Sequence, residues 1–119
     1  MRESELEKEF CSLVRQAGGK AYKFVSPGNA GVPDRIVVLP GGRIGFAELK
    51  RPGEEPRKLQ QLRLEELGRL GCLAEAVDGM EAAGAFVAKL REQEPAQSRE
   101  KRLFEELINR NPSGRKERA

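Results

Sequence analysis

Between residues 3 and 17 apolar side chains recur every three or four positions, at Leu6, Phe10, Leu13, Val14 and Ala17, and Gly18-Gly19 closes the run. That period predicts an amphipathic helix with a glycine C-cap. The pattern then changes to alternation in "KAYKFV" (20–25), as in a half-buried strand, and "SPGNAGVP" (26–33) is crowded with turn formers, as in a loop. "DRIVVL" (34–39) and "RIGFAEL" (43–49) flank "PGG" (40–42). Two apolar runs around so tight a turn predict an antiparallel hairpin.

"RPGEEP" (51–56) interrupts the pattern, and Pro56 suits the first turn of a helix running to about Leu70. Leu59, Leu62, Leu67 and Leu70 are expected along its core stripe, with Arg63 and Glu66 paired near the polar edge. Gly71 ends that helix, "CLAEAV" (72–77) reads as a short strand, and "GMEAAGAFVAKLRE" (79–92) as a helix weakened by two glycines. The order is therefore αβββαβα. After "QEPAQS" a last helix, "REKRLFEELINR" (99–110), is closed by "NPSG" and carries few apolar residues, so it is expected to dock lightly on the core or on another subunit. The division implied is a main domain over 1–92 and a helix with a basic tail over 93–119.

Composition narrows the chemistry more than the fold. A chain of 119 residues makes one core. None of its apolar runs approaches the roughly 20 residues that span a bilayer, and "MRESELEKEF" is too charged for a secretory signal, so a cytoplasmic, non-membrane protein is expected. Cys11 and Cys72 lack C-x-x-C spacing and read as reduced core thiols. Histidine is absent. That excludes His-ligated zinc, a Ser-His-Asp triad and a histidine base, leaving carboxylates, Lys, Arg and Tyr for any catalysis. The net charge of +3 lies wholly in residues 98–119, with 7 Lys/Arg against 4 Asp/Glu, whereas residues 1–97 hold 15 of each. Such an end fits contact with a phosphate backbone or a solvated terminus.

Within the hairpin, Asp34 opens one strand and Glu48 and Lys50 lie near the end of the other. Glu48 and Lys50 share a face while Leu49 points away, and a turn at 40–42 brings Asp34 opposite Glu48. Two carboxylates so placed repel unless one protonates or a cation sits between them. Mg²⁺, which takes oxygen ligands and is typically held by one or two carboxylates with substrate phosphate oxygens, answers this need. Lys50 would then be in reach of a water activated by that ion, to orient it, stabilise hydroxide or offset charge at a phosphorane-like transition state. In isolation the same residues also fit a cross-strand ion pair at a sheet edge. Gln60, about 100° from Leu59, can border the core, whereas Gln61, at about 200°, cannot. On the first helix Glu7 lies one step from the core stripe and Glu3 within its arc, so either can project a carboxylate toward the sheet.

A helix glutamate, then "GVPD", then "ELK" about 14 residues on, then "LQ" opening the next helix resembles the PD-(D/E)xK nuclease superfamily, and within it the VRR-Nuc (virus-type replication-repair nuclease) family. The resemblance runs from about Glu3 to Glu81. It implies an α/β, restriction-endonuclease-like fold: an αβββαβ mixed sheet flanked by helices, here with an added C-terminal helix. It implies Asp34 and Glu48 as ligands of Mg²⁺ or Mn²⁺ with the Leu49 backbone carbonyl, Lys50 as the catalytic lysine and Gln60 as the active-site glutamine. Glu7 is the favoured helix carboxylate, because Phe10, Cys11, Leu13 and Val14 follow it at the spacing of similar junction resolvases, and Glu3 is the reserve. The expected activity is metal-dependent endonucleolytic hydrolysis of DNA, with branched or four-way-junction DNA as substrate, in a bacterial or phage-encoded homodimer. A non-catalytic DNA-binding subunit and a sequence-specific restriction-type nuclease are the alternatives. Lys20, Lys23, Arg51, Arg57 and Lys58 are candidates for the phosphate backbone.

Overall fold

The computed structural model describes residues 1–110. The "NPSG" stop and the basic end of the chain lie outside the described residues. In chain order come α1 (Glu3–Gln16), β1 (Lys20–Lys23), β2 (Arg35–Leu39), β3 (Arg43–Leu49), α2 (Lys58–Arg69), β4 (Leu73–Val77), α3 (Met80–Arg91) and α4 (Ala96–Arg110). The sheet is mixed, in the order β1-β2-β3-β4: β1 and β3 each pair antiparallel to β2, and β4 pairs parallel to β3. This is the α/β architecture expected, with the αβββαβ order of the core intact.

Local chemistry explains the boundaries. α1 ends in a Schellman motif: Gly18 takes φ +89°, its N–H donates to the Arg15 carbonyl (2.9 Å), and the Gly19 N–H donates to the Val14 carbonyl (3.0 Å). β1 stops at Lys23, two residues short of the alternating run, after which one further bond, Phe24 N–H to Asp34 C=O (2.9 Å), ties the loop to β2. α2 begins at Lys58 rather than Pro56, because the Gln60 side chain reaches back to the Arg57 N–H (2.8 Å) and sets the first turn there. α4 starts three residues earlier than its apolar pattern suggests, with the Ala96 N–H donating to the Gly41 carbonyl (2.8 Å) at the hairpin tip.

One sheet face is closed by α1 and α3. Leu6, Phe10 and Val14 of α1 and Ala83, Phe86, Val87 and Leu90 of α3 meet Val37, Leu39, Ala47, Leu49 and Val77 from the strands. The Phe10 and Phe86 rings lie 5.7 Å apart and tilted. Gly45 lets them pack closely on the sheet, since a Cβ there would stand 3.0 Å from Phe86 Cζ. Cys11 and Cys72 are unpaired and partly buried rather than true core thiols.

The other face carries α2, which packs on β4. Here the expected leucine stripe holds only at Leu67. Leu59, Leu62 and Leu70 are 42%, 49% and 76% exposed, and the buried residue of α2 is Gln60. The helix is rotated so that Gln60, Leu64 and Leu67 turn inward, because the strand end beneath its first turn presents the carboxylate of Glu48 rather than an apolar surface. Among the described residues no helix is long and apolar enough to cross a membrane.

Candidate active site

The β2–β3 register pairs Arg35 with Ala47 and, one step further, sets Asp34 opposite Glu48. Asp34 Oδ1 accepts a hydrogen bond from the Leu49 N–H (3.2 Å), which fixes the carboxylate across the end of the hairpin. Glu48 is only 4% exposed. Two donors meet at its Oε2: Gln60 Nε2 at 3.0 Å and Lys50 Nζ at 3.6 Å. The Lys50 backbone is held in turn by its N–H to the Val77 carbonyl (2.9 Å), which prolongs the β3–β4 ladder past the end of β3.

Gln60 is bound at both ends of its amide. Its Oε1 caps α2 while its Nε2 holds Glu48, so the helix start and the carboxylate position one another. The loop before β2 is seated on the same helix: Gly31, at φ +84°, lies against Leu59, where a Cβ would come within 2.7 Å of Leu59 Cγ. Arg63 Nε also donates to the Ala30 carbonyl (3.0 Å), in addition to the expected pairing of Arg63 with Glu66 (3.6 Å).

The electrostatics follow from burial. Removal from water, and then the Asp34 charge, push the Glu48 carboxyl up to about 7, against the opposing pull of Lys50 and of the Asp34 N–H. Asp34 is also raised, first by burial, with the Leu49 N–H and Arg35 pulling it down and the Glu3 charge pushing it up. Both carboxylates are thus costly to keep charged in the absence of a cation. Oxygen donors at this density suit a hard divalent cation, with two carboxylates in place and remaining positions for water and phosphate. Among the described residues no group of three acidic, Cys or His side chains converges.

The helix carboxylates are arranged differently from the strand pair. Glu7 is bound to Arg35 Nη2 at 2.7 Å and lines, with Asp34, Lys23, Phe24, Val25 and Arg35, a cavity of about 200 Å³. Glu3 is exposed at the start of α1, and its charge reaches Asp34. Of the basic candidates, Lys23 borders that cavity, while Arg51 is paired with Glu54 (3.3 Å). Arg57 and Lys58 are exposed at the α2 start. Lys20 stands apart from the site, in register with Val38 toward the hairpin tip, its Nζ 4.9 Å from the Tyr22 ring centre.

Arg35 was missed in the sequence. It is 6% exposed, follows Asp34 directly and holds Glu7. A signal did exist: alternation puts Arg35 on the face of Val37 and Leu39, and a guanidinium in that row requires a buried or bordering anion.

No protein-family model matches the chain. "Putative nuclease p44" of Acyrthosiphon pisum secondary endosymbiont phage 1 is 53% identical over 77 residues, covering 65% of this chain and 80% of that protein. A solved structure described as a VRR_NUC domain superposes with a TM-score of 0.68 at 25% identity, over 72% of this chain and 94% of the other. A relative this similar across most of its length, a matching domain fold and a hairpin bearing Asp34, Glu48 and Lys50 agree, and the chain belongs to the VRR-Nuc family of nucleases.

Proposed function

We propose that the chain is an endonuclease that hydrolyses DNA phosphodiesters with Mg²⁺ or Mn²⁺ and acts on branched DNA, four-way junctions above all, as a homodimer. The observation that carries the metal-dependent reading is the buried Glu48 carboxylate, set opposite Asp34 and approached at one oxygen by both Gln60 and Lys50. Asp34, Glu48 and the Leu49 carbonyl are the residues to hold the ion. A divalent cation bound there supplies charge stabilisation for the phosphate and activation of a water near neutral pH.

The protein's own groups do the rest. Lys50 holds its ammonium beside Glu48, where it can orient the attacking water and offset charge that develops on the phosphate oxygens. Gln60 fixes the Glu48 carboxylate in one rotamer, so no reorganisation is needed when substrate arrives. Arg35 holds Glu7 at the rim of the cavity that Asp34 shares, from which it would assist through water. Lys23, Arg51, Arg57 and Lys58 would contact the backbone of the DNA without reading bases. Two such sites in a two-fold dimer match the two equivalent strands of a four-way junction, which supports the homodimer.

The test is cleavage of labelled linear, flap and four-way-junction DNA with and without Mg²⁺ or Mn²⁺. Symmetric nicking of junctions, dependent on metal and abolished in Asp34→Ala and Lys50→Ala, is the expected result. Cleavage by either variant at the wild-type rate would overturn the assigned roles. Cutting at one fixed linear sequence would replace the junction reading with a restriction-type one.

A further inference from the structure

Among the described residues, two apolar surfaces lack a cover. The first is the α4 stripe. At about 100° per residue, Leu103, Leu107, Phe104 and Ile108 fall within an arc of about 140°. They are 48%, 60%, 63% and 48% exposed, and no residue of α4 is buried. The second is the sheet face opposite α1 and α3, over β1 to β3. Two in-register rows cross it, Lys20-Val38-Ile44 and Tyr22-Ile36-Phe46, with Ile44 and Tyr22 about half exposed. α2 packs on β4, and Phe24 covers part of the second row at Phe46 (ring centres 5.9 Å apart), so that Val38, Ile36 and Phe46 stay partly exposed.

An antiparallel ribbon such as β1–β3 can leave one face to water when that face is polar, but here it carries Val38, Ile44, Ile36 and Phe46, and an amphipathic helix needs a surface for its stripe. Each uncovered surface is therefore what the other lacks. They do not meet within one chain, because the base of α4 is fastened at the hairpin tip. Ala96 N–H bonds the Gly41 carbonyl, Arg43 Nε bonds the Gln93 carbonyl (2.7 Å), and Arg102 bridges Glu94 (3.1 Å) to Glu106 (2.8 Å). Charge agrees as well: Glu100 falls inside the arc of the stripe, and the one charged side chain in the two open rows is Lys20.

We propose that α4 of each chain lies across the open β1–β3 face of a second copy, so that two chains exchange their C-terminal helices reciprocally. The proposal rests on the homodimer reading above and names the surfaces that make it. It places Glu100 of one copy beside Lys20 of the other.

Sedimentation equilibrium of the full-length chain tests it. Leu107→Glu and Ile44→Glu, both at exposed positions that leave the fold of one chain intact, should each raise the dimer Kd by at least about 30-fold, the size of an interface hot spot. Lys20→Glu and Glu100→Lys should each weaken the dimer, and the two together should restore it. In a Cys11→Ser, Cys72→Ser background, mixing Ile44→Cys chains with Phe104→Cys chains should give a disulfide-linked dimer. If wild type is monomeric, both the exchange and the homodimer fail. If the dimer persists unchanged in Leu107→Glu, or if Leu62→Glu breaks it while Ile44→Glu does not, the homodimer stands and the exchange is wrong. An intrachain disulfide in the Ile44→Cys, Phe104→Cys double variant would mean that α4 folds back on its own sheet.

Discussion

α1 and α2 both lie on the sheet, and both carry leucines at helical spacing, yet they bury opposite kinds of residue. α1 turns Leu6, Phe10 and Val14 into the core, while α2 leaves Leu59, Leu62 and Leu70 exposed and buries Gln60. What differs is the surface beneath. Under α1 the strands offer Val37, Ala47 and Leu49; under the start of α2 they offer Glu48. Burying a leucine over that carboxylate would remove its Gln60 hydrogen bond and leave only Lys50 at 3.6 Å, at about 1–3 kcal/mol, so the helix rolls until a donor faces it. Apolar periodicity orients a helix only where the opposing surface is apolar too.

The sharpest way to break this contrast is at Phe10. Phe10→Ala should cost about 3–5 kcal/mol in urea unfolding, since it empties a fully buried site beside Phe86. A loss below about 1 kcal/mol would mean that the α1 face is not the core.

Glu48 offers the next largest effect. Its folded pKa of about 7 lies above the ordinary 4.5, so the folded chain keeps a proton that the unfolded chain releases. That contribution to stability is fully present below about pH 4.5 and is lost as pH rises through about 7. Without divalent ions, Tm of the wild type should therefore fall relative to Glu48→Gln by on the order of 5 °C between pH 5 and pH 8. Mg²⁺ should reverse the fall at pH 8 in the wild type alone. Parallel Tm curves for the two proteins would show that Glu48 is not titrating in this window.

Gln60→Ala should cost about 1–2 kcal/mol, because it removes both a helix cap and the donor to Glu48. Cleavage should fall about 10-fold or more with the substrate KM little changed, as expected for a group that positions another. Smallest of all is Leu62→Ala, which should change stability by less than about 0.5 kcal/mol. A large loss there would restore the leucine stripe as the buried face.

Much of the site was readable because its parts are close in sequence. A hairpin with its turn at 40–42 has one register that keeps Val37 and Leu39 inward, and that register fixes Asp34 opposite Glu48. Gln60 was legible as a core-bordering residue from its angle on the helix. Arg35 and its hold on Glu7 were not, since the pairing depends on how α1 crosses β2, which no local spacing encodes.

By itself, then, the sequence determined the elements and their order, the glycine C-cap of α1, the hairpin register and the carboxylate pair with its lysine, because each rests on interactions within a strand pair or a helical turn. The tertiary structure alone decided the roll of α2, the engagement of Glu7 by Arg35, the separation of Lys20 from the site and the exposure of the α4 stripe. Those depend on what lies across a gap between elements distant in the chain, where burial and charge are settled only once the partner surface is in place.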